Sequence, residues 1–279
     1  MPQAAQIDLL PASQVAQQTP VQQSANAICY AMFADTHIEP RDLAEIVQAV
    51  PDAVAAALTN HAYYFVPLTI GETDETLIAP GYTVALGDRA ICHRSFHFGG
   101  SDCVFISTRL MQDRFALAFE FFINVGHHFV DAAGVPQAFC DLVWSQALAG
   151  VRGETSQDAH ENRRRALHPG QGDSIPASTS WRRANVQGFG RSPEPETDGK
   201  ASQRRVDEKA KTSYFEAAFS DALAIYMLSL TLDFNYADLR EREYPLLAPA
   251  ALAERLRHVA ALFPPNPGYT FQIAHRHKG

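Results

Sequence analysis

A chain of 279 residues suffices for one large domain or two small ones, and 46% hydrophobic residues is ordinary for a protein that buries a core. The formal net charge of -8 argues against a general electrostatic grip on nucleic acid or anionic lipid, both themselves negative. Cys29, Cys92, Cys103 and Cys140 are scattered without a C-x-x-C pair, which points away from a zinc ribbon or disulfide scaffold and toward a reducing, cytoplasmic setting.

The first 24 residues are rich in glutamine and lack the basic and apolar regions of a secretory signal, so they read as a flexible tail. From Arg41 to Leu58, Leu43, Ile46, Val47, Val50 and Val54 recur at helical spacing, and Pro51 divides the run into two helices. Tyr63 to Gly71 and Leu77 to Gly87 are aromatic and β-branched between glycines and prolines, the signature of strands and turns. Cys103 to Ser107 reads as a third strand after the Gly99-Gly100 turn, and it leads through Asp113 into an apolar helix over Arg114 to Ala133. That helix is apolar on most of its circumference and should be buried; Gly134 and Pro136 end it. A further helix covers Gln137 to Ala149. Residues 151–211 are polar and form no core of their own, so they read as a disordered insertion. Apolar helical pattern resumes over Ser213 to Leu232 and again over Pro249 to Phe263, and Tyr269 to Ala274 reads as an edge strand. The expected fold is α+β and mainly helical: one domain from 25–150 and 212–279, with a small sheet leading into a buried central helix. The 16 residues from Phe115 to Val130 are too short and too polar for a membrane span.

On the central helix Glu120, Asn124, His127, His128 and Asp131 fall at offsets of four, seven, eight and eleven residues, one helical face. Such a stripe either faces solvent while the rest of the helix packs, or lines a polar cleft. In a cleft, His127 and Asp131, one turn apart, could reach one metal ion. Glu216 and Asp221 on the later helix are the candidates to complete a zinc site.

With VGHHFVDAAG on one apolar helix and FEAAFSDALAIYML on a later one, about a third of the chain resembles the gluzincin metallopeptidases. In that family an H-E-x-x-H helix provides two zinc ligands and the general base, and an E-x-x-x-D helix provides the third ligand and a supporting carboxylate. Laid on that motif from Val125, His127 takes the first ligand position, His128 replaces the glutamate base and Asp131 replaces the second histidine. In the alternative register His127 is the second ligand, with Ile123 and Asn124 at the preceding positions. Asp221 matches the supporting aspartate, which puts Ala217 at the third-ligand position and leaves Glu216 one residue away, about 100° around the helix. The resemblance therefore implies a zincin-like fold with a degenerate site. Zinc is the implied cofactor, His127, Asp131, Glu216 and Asp221 the implied ligand set, and His128 and Glu120 the candidate catalytic groups.

His93 and His97, with Cys92, Asp102 and Cys103, match no zinc-finger spacing and read as a turn that contains histidines. Arg163, Arg164 and Arg165, with Arg182, Arg183, Arg204 and Arg205, make the insertion locally basic, which reads as a solvated disordered loop or, alternatively, as a surface that attracts an acidic protein partner or nucleic acid. Two functions follow: a non-catalytic protein or degenerate zincin-like homologue, and a metal-dependent, peptidase-like hydrolase that uses His127 and Asp131 with Glu216 or Asp221.

Overall fold

Proline and glycine set the boundaries of most elements. The structure, a computed structural model, describes residues 9–71, 75–82, 84–111, 113–169, 206–239 and 244–273. In chain order these form β1 (Leu10–Pro11), α1 (Ala12–Gln18), β2 (Gln22–Gln23), β3 (Cys29–Met32), α2 (Pro40–Gln48), α3 (Asp52–Ala55), β4 (His61–Val66), β5 (Leu68–Gly71), β6 (Thr76–Ala79), β7 (Ala90–Ile91), β8 (His93–Phe98) and β9 (Ser101–Ser107). Five longer helices follow: α4 (Arg114–Ala133), α5 (Gln137–Leu148), α6 (Gln157–Leu167), α7 (Glu208–Thr231) and α8 (Pro249–Leu262). The fold is thus α+β, as the sequence predicts, and no helix among the described residues is long and apolar enough to cross a membrane.

Local chemistry explains the helix ends. Asp113 accepts a hydrogen bond from the Ala116 amide at 2.9 Å to open α4, and Gly134, at φ 75°, closes it. Ser156 and Asp207 cap α6 and α7 in the same way, through the amides of Ala159 and Ala210. Proline supplies the first residue of α2 and of α8, where no amide proton is needed.

The larger sheet has the order β2-β3-β4-β9-β8, with β3, β4 and β9 parallel and β8 antiparallel at the edge. The smaller sheet, β1-β6-β5-β7, is antiparallel; Pro67, which has no amide proton, separates β4 from β5. Because side chains alternate along a strand, the two faces of the larger sheet have different contents. On one face Ala62, Tyr64, Val66, Cys103 and Phe105 pack with Ala12 and Val15 of α1. On the other, Tyr63, Phe65, Val104 and Ile106 pack under α4, with the Phe121 ring edge-on to Tyr63 at 5.1 Å.

Helix α7 is the centre of the helical layer, with every residue from Ala218 to Leu228 buried. It meets α4 at Gly126, where a Cβ would lie 2.8 Å from the Ser220 carbonyl oxygen, so glycine is what lets the two backbones approach. Behind α7 a buried ion pair joins separate segments. Arg255 of α8 and Glu154 are both fully buried and meet at 2.8 Å; Tyr214 donates to Glu154 at 2.6 Å, Arg163 donates to it at 3.0 Å, and Arg255 Nε donates to Gln146 at 2.8 Å.

Three sequence expectations are corrected. Of the tail expected over residues 1–24, residues 1–8 lie outside the described residues and 9–24 are no flexible tail: Ala12 and Val15 insert beneath the sheet and β1 pairs with β6. Nor is the polar stretch 151–211 wholly an insertion outside the core. Residues 170–205, with Arg182, Arg183, Arg204 and Arg205, lie outside the described residues, but Glu154, Ala159 and Ala166 are buried and α6 packs on α7. Polar side chains satisfy one another there, and Arg163 is neutralised by Glu154 instead of waiting for a partner. Residues 269–273 form no strand; Phe271 packs edge-on against Tyr226 at 5.2 Å, and the Tyr269 hydroxyl donates to the Glu45 carbonyl at 2.7 Å.

Candidate functional site

The register of the sheet creates a polar seam along its β8 edge. His61, Asp102 and His97 stand opposite one another on β4, β9 and β8; the next row toward the interior is Tyr63, Val104 and Ser95, and the third is Phe65, Ile106 and His93. All three rows share the face that α4 covers, so β8 presents His93, Ser95 and His97 to the helix at the two-residue period of a strand. Helix α4 answers with Glu120, Asn124 and His128 at spacings of four, and the stripe predicted on it faces the sheet edge rather than bulk solvent alone.

Each contact follows from the groups available. A carboxylate can only accept, so His93 donates from Nδ1 to Glu120 Oε1 at 2.5 Å, and His97 donates from Nδ1 to Asp102 Oδ1 at 2.9 Å. Asn124 is buried and donates to the Glu120 carbonyl at 2.8 Å and to its Oε1 at 3.3 Å, which orients that carboxylate. His128 lies between two hydroxyls, Tyr63 Oη at 3.3 Å from Nδ1 and Ser95 Oγ at 3.4 Å from Nε2. Its ring centroid is 4.9 Å from that of His61, whose Nε2 stands 3.9 Å from Asp102 Oδ2. His61 Nδ1 is buried with no hydrogen-bond partner among the described residues. Asp131, one turn beyond His127, is exposed, and its charge acts on His61.

Burial is the main reason why His128 titrates so low, at about 3, and the imidazoles of His61, His127 and His93 add to the effect while Asp102 opposes it. His61 is lowered as well, again first by burial, against the pull of Asp102 and Asp131. Both rings are therefore neutral at pH 7, the state in which an imidazole can accept a proton. Tyr63 is fully buried, and the same desolvation keeps its hydroxyl protonated.

The implied zinc set is not gathered in this way. Asp221 is buried beyond the seam, where it accepts a 2.8 Å hydrogen bond from Thr155, and Glu216 lies half-buried on α7. The groups acting on Asp221 are Ser156, Thr155, Asp158 and Glu154, at the start of α6. Among the described residues no three His, Cys, Asp or Glu side chains are arranged to hold a metal ion, so His127, Asp131, Glu216 and Asp221 do not fit the implied cofactor.

Glu120, Asn124 and His128 do meet at the seam, joined by Asp131 through its charge on His61 and by His127 through its proximity to His128. Sequence reasoning missed Tyr63, His61 and Ser95, and it read His93, His97 and Asp102 as part of a turn, whereas they stand on the paired strands β8 and β9. A partial signal was present in Ser95-Phe96-His97-Phe98, where polar and apolar residues alternate with the period of a strand. Compared with known proteins, the chain matches no family model, and no curated protein or solved structure is significantly similar to it.

Proposed function

We propose that the seam is a metal-independent acid–base site for acyl transfer to water, with Ser95 as nucleophile and His128 as its base. The observation that carries the reading is the pair itself: an exposed serine hydroxyl 3.4 Å from Nε2 of a neutral imidazole whose other nitrogen is held by Tyr63. That is the nucleophile, base and orienting group of covalent acyl catalysis, at the long end of hydrogen-bond distance, as is common before substrate binds.

In this reading Ser95 Oγ attacks an ester carbonyl while its proton passes to His128 Nε2. The bond to the alcohol then breaks as His128 returns that proton to the departing oxygen. Water attacks the acyl-serine and gives a proton to His128; the bond to Ser95 Oγ breaks, Ser95 regains its proton, and a carboxylic acid leaves. His128 accepts a proton only in the tautomer that carries hydrogen on Nδ1 and donates it to Tyr63 Oη. Charging a buried ring is costly, and Asp102 is the carboxylate that lowers this cost.

The test is time-resolved cleavage of p-nitrophenyl acetate by the full chain beside its Ser95→Ala, His128→Gln and Tyr63→Phe variants. Loss of cleavage above the solution rate in the first two, with a weakened rate in the third, is the expected result. Equal rates in all four proteins would end the catalytic reading.

One observation favours a second, non-catalytic reading. The Tyr63 hydroxyl is fully buried with His128 Nδ1 as its hydrogen-bonding partner, and by donating to that nitrogen it satisfies both groups at once. The proton of His128 then sits on Nε2, Ser95 accepts it, and the seam is a structural network that fastens α4 to the sheet edge. Under this reading Tyr63→Phe lowers stability by roughly 1–3 kcal/mol, with no ester cleavage in any variant.

A further inference from the structure

Away from the seam, and independently of the acyl-transfer reading, α6 begins at a strap that lies between α7 and the stretch leading into α8. Glu154 bridges to Leu246 in the parallel sense: the Glu154 amide donates to the Pro245 carbonyl at 2.9 Å, the Leu247 amide to the Glu154 carbonyl at 2.9 Å, and the Ala248 amide to the Arg152 carbonyl at 3.0 Å. Gly153, at φ 79°, permits this approach, since a Cβ there would lie 1.9 Å from the Leu246 carbonyl oxygen. On its other side the strap meets Asp221 of α7. Thr155 donates to Asp221 Oδ2 at 2.8 Å, and Ser156 donates to the same carboxyl while its own oxygen accepts from the Ala159 amide at 3.2 Å and caps α6. One buried carboxyl therefore holds both the strap and the first turn of α6.

We propose that Asp221 is a proton-operated latch: protonated, it fastens Thr155, Ser156 and the start of α6 to α7; ionised, it admits water and loosens that start. Its hydrogen-bond donors are hydroxyls, not cations, and Glu154 on the strap and Asp158 on α6 repel a charge on it. Arg163 of α6 and Arg255 of α8 are held by Glu154. Tyr236 and Tyr244 stand nearby ahead of α8, and α4 meets the preceding residue, Ser220, with the uncharged Gly126. The amide pole of α6 favours an anion, but Asp158 already occupies its first turn, and burial outweighs the pull, raising the carboxyl to about 7. Opening then releases a proton, so the fastening is fully present below the ordinary 3.8 and is lost as pH rises through 7. His160 on α6, lowered by burial, acts in the opposite sense, favouring opening as pH falls.

The experiment is amide hydrogen exchange of the full chain and of its Asp221→Asn variant across the range from 3.8 to above 7, with opening constants corrected for intrinsic exchange rates. At the Ala159 and His160 amides, the ratio of opening in the wild type to opening in the variant should rise by up to about tenfold per pH unit and level off above 7. His160 is common to both proteins and cancels in the ratio. A ratio independent of pH overturns the latch. So does exchange of these two amides no faster than the slowest amides of α7, because the opening is then unfolding of the whole chain. In the wild type alone, the Asp221 carboxyl followed by carbon NMR should titrate near 7; titration near 3.8 overturns the latch whether or not the variant folds.

Discussion

His128 and Asp221 are both removed from water, and burial penalises the charged form of each in opposite directions of pH. For His128 the folded value, about 3, lies below the ordinary 6.5, so its contribution to stability is present above 6.5 and is lost as pH falls toward 3. His61 and His160, also lowered, act in the same sense. For Asp221 the folded value, about 7, lies above the ordinary 3.8; its contribution is fully present below 3.8 and is lost as pH rises through 7. Between about pH 4 and 6.5 the two terms oppose each other, each with a slope of roughly 1.4 kcal/mol per pH unit. Denaturant unfolding across that window should therefore show a steeper acid loss in Asp221→Asn and a shallower one in His128→Gln. Identical slopes in wild type and both variants would mean that neither group titrates abnormally. The Arg255–Glu154 pair is a different residue-scale term. Arg255→Met leaves a buried carboxylate with only Tyr214 and Arg163, and a loss of about 3–5 kcal/mol is expected in the same unfolding measurement.

At the scale of elements, α4 has to satisfy two neighbours at once, with α7 on one side and the β8 edge on the other. Gly126 decides the first contact. Alanine is the better helix former by about 1 kcal/mol, yet its Cβ would press on the Ser220 carbonyl, and backbone cannot swing aside as a side chain can. Gly126→Ala should therefore destabilise by roughly 1–3 kcal/mol despite the gain in propensity, and a thermal melt with unchanged or raised midpoint would show that the helices separate easily. The second contact was half-visible in sequence. Glu120, Asn124 and His128 announce a polar face at helical spacing, but their partners His93, Ser95 and Tyr63 come from strands 27 to 65 residues away, and nothing in the local pattern of α4 specifies them. The gluzincin resemblance drew attention to the same helix, and its partner carboxylate, Asp221, proves to be engaged with Thr155 instead.

Across the whole molecule, the segment before residue 170 and the segment after 205 share one core, since α7 packs on α4, α6 and α8. A protease cut anywhere within 170–205 should leave two fragments that co-elute in gel filtration; fragments that separate and stay folded would make them independent domains. Any ester cleavage by the chain should survive 1,10-phenanthroline and EDTA, because the four residues of the implied zinc site do not converge. A chelator-sensitive rate restored by zinc would revive the metal-dependent hydrolase.

The apolar periods, together with Asp113, Gly134, Pro136 and Pro249, determined by themselves where the principal helices run, because capping and amphipathic spacing are local physics. They also determined that α4 carries a polar face. What only the tertiary structure decided is which groups meet that face, and that Ala12 and Val15 of α1 and Ala159 and Ala166 of α6 are buried with the core. Hydrogen bonding between distant polar groups leaves no periodic trace, and a buried charge such as Glu154 looks in sequence like any solvated one until Arg255 is brought 2.8 Å from it.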